Sequence, residues 1–149
     1  MDVDRFLESL AELALAPRTR GACADRVCAA LEQAGFDTTG HPTLAKDWGP
    51  MLARLGFAAL TDIDYRPVRG DIVVFKPIAD APHGHIQAFD GKRWISDHVQ
   101  LDGFWPAPQY KKTMARFMPH RLGEADAPAV RWPGERQAGR RAGLTTAAL

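Results

Sequence analysis

A chain of 149 residues is long enough for one domain around a single sizeable core. Its composition, 46% hydrophobic and 25% charged, is ordinary for a soluble globular protein, and a net charge of +1 supplies no field to attract nucleic acid or an anionic membrane. No run approaches the roughly 18 apolar residues of a membrane span. Acidic Asp2, Asp4 and Glu8 stand where a secretory signal is positively charged, which predicts a protein made in the cytoplasm without a signal peptide.

In chain order, Phe6, Leu7, Leu10, Leu13 and Ala14 form one apolar stripe, which predicts a helix over 4–15 closed off by Pro17. The basic stretch Arg18-Thr19-Arg20 leads to Gly21. A second helix is predicted over 22–34, with Ala24, Val27, Cys28 and Leu31 on its buried face and Gly35 as its C′ glycine. After a turn-rich connection over 36–40, Trp48, Met51, Leu52 and Leu55 mark a third helix within 44–55, starting near Gly49-Pro50. Beyond Gly56 the pattern changes to strands. Ile72-Val73-Val74-Phe75 is a buried strand after a turn over 66–71, 77–82 is a loop, and 83–89 is the next strand. The Asp90-Gly91 turn returns it as a hairpin through 93–96. A proline-rich loop over 104–108 precedes a last strand within 113–122. From Glu124 the chain carries Ala, Gly, Pro and Arg with few large apolar residues, so 123–149 is expected to be a disordered basic tail. Residues 1–122 then form the single domain. Helices first and an antiparallel sheet afterwards point to the α+β class.

Three positions carry chemistry. Cys23 opens the second helix, His85 lies inside the strand after Pro82, and Asp97 ends the partner strand of the hairpin. A thiol nucleophile, an imidazole base and a carboxylate that fixes the ring are the parts of a cysteine hydrolase. Unpaired N–H groups and the dipole at a helix start favour a thiolate there, and the same amides can receive an oxyanion. Strand alternation puts His83, His85 and Gln87 on one face, with Ile86 and Ala88 on the core side. Gly84 leaves room for a backbone or a substrate beside His85. Gln100 and His98 are alternatives to Asp97 for orienting the ring.

Cys28 belongs to the core. Five residues of helix separate the two cysteines by roughly 7.5 Å and point them about 140° apart, so both are expected as free thiols. The aromatic group Trp94, Phe104, Trp105 and Tyr110 is either core or the wall of a groove for an extended substrate. Gly84, Trp94 and Trp105 are the candidate substrate contacts. His83, His85, His98, Asp97 and Cys23 also have metal-ligand chemistry, but neither HExxH nor CxxC is present, and no metal or cofactor is expected.

The segment RGACADRVCAALEQAG over 20–35 resembles the cysteine helix of papain-like cell-wall amidases of the NlpC and CHAP type. GDIVVF over 70–75 and HGHIQAFDGKRWISDHVQ over 83–100 resemble their histidine strand and following acid strand. The likeness covers 19–121. It implies a papain-like fold, with N-terminal helices packed on a small antiparallel sheet, and cysteine-dependent hydrolysis of amide bonds in peptidoglycan stem peptides. It maps the nucleophile onto Cys23, the base onto His85 and the third residue onto Asp97. Ala22 departs from the Asp or Asn that usually precedes the cysteine, and the third polar residue varies among such enzymes.

Some members reach their substrate through type VI secretion between bacteria, or in phage lysis, without a cleavable signal. On that implication the chain is a monomeric antibacterial toxin carried to a periplasm by a non-classical route, with an immunity or delivery protein as partner. Two other readings stay open: a non-catalytic wall- or protein-binding module on the same fold, and a papain-like hydrolase of another acyl substrate.

Overall fold

Val3–Leu13 forms the first helix (α1), started by Asp2, whose carboxylate accepts from the Arg5 amide at 3.2 Å. Phe6, Leu7 and Leu10 bury its apolar stripe. The second helix (α2) spans Cys23–Gln33 and packs along α1. Arg26 fastens the pair, its guanidinium donating to the carbonyls of Leu13 and Pro17 at the end of α1. Gly35 closes α2 with φ +90: the Gly35 amide donates to Glu32 and the Phe36 amide to Leu31, each at 3.0 Å. These bonds satisfy carbonyls that the helix end leaves over.

The computed structural model describes residues 1–17, 22–100 and 103–123. The basic lead-in 18–21 and the tail expected to be disordered, from Glu124 onward, lie outside the described residues. The third helix starts at Gly49, where the sequence predicts it. A 3₁₀ turn over Ala45–Asp47 precedes a helix over Gly49–Arg54 (α3), which has Pro50 in its first turn. Trp48, fully buried between them, donates its Nε1 to the Pro42 carbonyl at 3.2 Å.

Five strands follow: Phe57–Ala59 (β1), Ile72–Phe75 (β2), His85–Phe89 (β3), Trp94–Ile95 (β4) and, after the short helix Pro108–Lys112 (α4), Phe117–Leu122 (β5). They form one antiparallel sheet in the order β1-β5-β2-β3-β4. The α+β organisation, with N-terminal helices against an antiparallel sheet, is the one the sequence predicts. β1 and α4 are additions. Three residues are too few to show an alternation, and α4 begins at a proline that the composition of 104–108 assigns to a loop. Among the described residues no helix is long and apolar enough to cross a membrane.

The sheet separates two cores. Ile72, Val74, Ile86, Ala88 and Ile95 face α1, α2 and α3 in one cluster. Val73, Phe75 and Trp94 face the opposite way, into a cluster with Tyr110 and Ala115 that Phe104 and Trp105 complete. Where β2 begins, the fully buried Asp71 accepts from Arg121 at 2.7 and 2.8 Å, from the Tyr65 hydroxyl at 2.9 Å and from the Val68 amide at 2.9 Å. These hydrogen bonds satisfy the buried carboxylate and tie the start of β2 to β5.

Candidate active site

The start of α2 meets the start of β3. Cys23 is the first residue of the helix and 5% exposed; His85 is the first residue of the strand and 8% exposed. The sheet register sets His85 opposite Phe75, and their rings lie 6.0 Å apart, with the Tyr110 ring 6.1 Å from His85. Cys23, His85, Asp97, Gly84 and Tyr110 together line a cleft of about 160 Å³. The side chains proposed as nucleophile, base and third residue thus share one cavity wall.

Gly84 fixes this arrangement. Its φ is +74, and a Cβ there would stand 2.5 Å from the Phe75 carbonyl oxygen and 3.0 Å from Cβ of Lys46. The room that the sequence assigns to a backbone or a substrate is taken by the backbone of β2 and the 3₁₀ turn. The Lys46 amide also donates to the His83 carbonyl at 2.9 Å. His83 lies outside β3 and is half-buried, so the strand begins two residues later than predicted.

Burial sets the protonation states. The Cys23 thiol is pushed up from its ordinary value, first by desolvation and also by the Asp97 charge, while backbone hydrogen bonding from Ile86, Ala24 and Cys23 pulls it down. The expectation that the helix start favours a thiolate holds only as an opposing contribution; burial outweighs it. The α2 N-cap is Ala22, whose side chain caps nothing, so the first amides of the helix stay available to the sulfur. His85 moves the other way, down to about 4, because desolvation disfavours the imidazolium more than Asp97, Gln100 and Gln87 support it. Burial thus disfavours the charged form of each group.

Asp97 is 6% exposed and accepts from Ser96 Oγ at 3.1 Å and from the His98 ring at 2.8 Å. Its charge favours protonated His85. Gln100 donates to the Gly103 carbonyl at 3.0 Å, and Gln87 donates to the Phe104 carbonyl at 2.7 Å. The Oε1 atoms of both amides, and Nε2 of His85, are buried outside hydrogen-bonding geometry. The two amides nevertheless favour the charged ring. Asp97 and Gln100, both candidates from the sequence, thus flank the imidazole, and Gln87 joins them from the same strand face.

The aromatic residues divide. Trp94 is 4% exposed, with its ring 4.9 Å from Phe89 and 5.3 Å from Phe104, and it belongs to the core rather than to a substrate wall. Trp105 is half-buried and lines a larger cleft of about 410 Å³ beside the first. Tyr110, brought in by α4, stands against the cysteine and the histidine. A helix was legible in Pro108 followed by Gln109, Tyr110, Lys111 and Lys112, since proline suits a first helical position. Cys28 is a buried free thiol, as its place on α2 implies. Among the described residues no three His, Cys, Asp or Glu side chains are grouped so as to hold a metal ion.

Neither a protein-family model nor a curated protein matches the sequence. Solved structures do. A chain of the type VI native effector–immunity complex Tae3–Tai3 from Ralstonia pickettii is 32% identical, with a TM-score of 0.73, over 83% of this chain and 100% of that one. A chain of the selenomethionine form of the same complex is 36% identical, with a TM-score of 0.64, over 74% of this chain and 97% of that one. The fold shared with them is the papain-like α+β arrangement that the sequence implies.

Proposed function

We infer the function of this chain from one premise: it belongs to the Tae3 family of type VI effectors. We propose that it is a peptidoglycan amidase that cleaves an amide bond in cell-wall stem peptides, using Cys23 as nucleophile and His85 as base. The observation that carries the reading is the meeting of a helix-start cysteine and a strand-start histidine in one cleft beside a buried carboxylate. Family membership further supports delivery to the periplasm of a target cell, where the substrate lies, and a cognate immunity protein as partner.

In the proposed mechanism the pair is neutral at rest. Sγ of Cys23 attacks the amide carbonyl as its proton passes to His85, so the thiolate is generated during attack rather than stored. Amides at the start of α2 receive the oxyanion of the tetrahedral intermediate. The imidazolium, favoured by Asp97, Gln100 and Gln87, protonates the departing amine and leaves a thioester on Cys23. His85 then takes a proton from water, which attacks the thioester. The carboxylic acid departs and the thiol is restored. The Asp97 charge favours the ring in its positive form.

Digestion of purified sacculi, with intact-mass analysis of the fragments, tests the proposal. The wild-type protein is expected to release stem-peptide fragments gaining one water per cleaved amide, and Cys23→Ala to release none while keeping its circular dichroism spectrum. Undiminished cleavage by a folded Cys23→Ala protein would overturn it.

A further inference from the structure

The cleft holding Cys23 and His85 adjoins two others. On one side it shares His98, Pro106 and Ala107 with the cleft of about 410 Å³. On the other it shares Cys23 and His83 with a cleft of about 330 Å³ formed by the start of α2 and the segment 43–45. Each flanking cleft has the size of a small-ligand site. Among the described residues their charges are opposite. Lys111, exposed on α4, lines the first together with Trp105 and His98 and has no ion-pair partner among the described residues. Asp25, exposed in the first turn of α2, lines the second beside Thr43 and Leu44. An acid in that turn also complements the helix dipole. That role leaves the placement of a lone cation at the other end unexplained.

We propose that the two clefts are opposite-charge subsites of one groove, in which Lys111 holds a free carboxylate of the peptide and Asp25 a free amine, on either side of the bond presented to Cys23. The substrate class is then a short zwitterionic peptide rather than any extended chain, and this rests on the hydrolase reading above. The polarity fixes the direction in which the peptide lies. Trp105 supplies an apolar wall to the carboxylate end, so part of the contact there is dry.

The test measures binding separately from turnover. Peptidoglycan-derived peptides are prepared in four forms, with the carboxylate free or amidated and the amine free or acetylated, and titrated into the full chain carrying Cys23→Ala. The free acid is expected to bind about three- to fivefold more tightly than its amide at low salt, in the range of a solvent-accessible charge pair. Adding Lys111→Met should erase that preference and spare the preference for the free amine; adding Asp25→Asn should do the reverse. About 0.5 M salt should shrink both preferences. An acid preference that survives Lys111→Met overturns the assignment of Lys111, and an amine preference that survives Asp25→Asn overturns that of Asp25. If these preferences follow the proposal while the wild-type protein cleaves none of the peptides, the groove polarity stands and the hydrolase reading falls.

Discussion

The two faces of the sheet are built for different tasks. Toward the helices β2 and β3 present aliphatic residues, Ile72, Val74, Ile86 and Ala88, to a core that also takes Phe6, Phe36, Trp48 and Phe57. The opposite side is aromatic, with Phe75 at its centre: the rings of Phe104, Tyr110, Phe117 and Trp105 all lie within 6 Å of it. Only the second face also carries His85 and Gln87, which alternate with the aliphatic residues of β3. The cysteine comes from the first side and the histidine from the second, and they meet at the start of β3. The proposed nucleophile at a helix start and the proposed base at a strand start are each held by a separate core. The distance between them then depends on both cores together, and the seam at Gly84 sets it.

The largest expected effect tests whether the two sides act as one unit. Cys23→Ala and His85→Ala should each lower kcat/KM on muropeptides by about a thousandfold or more, and the double variant should be no worse than either. Losses that multiply would mean that the two residues contribute independently.

Next comes the seam. Gly84→Ala places a methyl 2.5 Å from the Phe75 carbonyl and forces a non-glycine residue to φ +74. It should cost about 2 kcal/mol of stability in urea unfolding and lower turnover about ten- to a hundredfold, because β3 must shift relative to α2. A variant with wild-type stability and rate would show that the seam tolerates movement.

The smallest effects concern pH. The folded-state value of His85 is about 4, below the roughly 6.5 of an unfolded histidine. Between those values the unfolded chain binds more protons than the folded one, so the contribution of His85 to stability is complete above about 6.5 and declines as pH falls toward 4. Denaturation midpoints across that window would check this, and His85→Gln should flatten the slope. On the helix side the raised thiol predicts slow alkylation of Cys23 by iodoacetamide at neutral pH, accelerating only above the ordinary thiol value of 9.0. Labelling read by peptide mass separates Cys23 from Cys28. Fast labelling at pH 6 would contradict the neutral pair.

Much of the site is legible in the amino-acid sequence. The apolar stripe of α2 and its terminal glycine place Cys23 at a helix start, and the Asp90-Gly91 turn pairs the strand of His85 with Trp94–Ile95; Asp97, expected to end that strand, lies in the bend two residues after it. Local periodicity and turn chemistry carry that information. Other features are out of its reach. Trp94 and Trp105 look alike as aromatic residues near the acid strand, yet one is sealed beneath Phe104 and the other borders a cleft. Which of them meets solvent depends on how the segment after Phe104 folds over the sheet.

By itself the sequence determined the order of α1 to α3 and of β2 to β5, the α+β class and the three reactive residue types, because each follows from neighbours within a few positions. Only the tertiary structure decided which way Cys23 and His85 are shifted. A helix start by itself would favour the thiolate; desolvation by two packed layers reverses that preference and pushes the imidazole the opposite way. Burial is the sum of contacts from distant parts of the chain, and for that reason no local pattern encodes it.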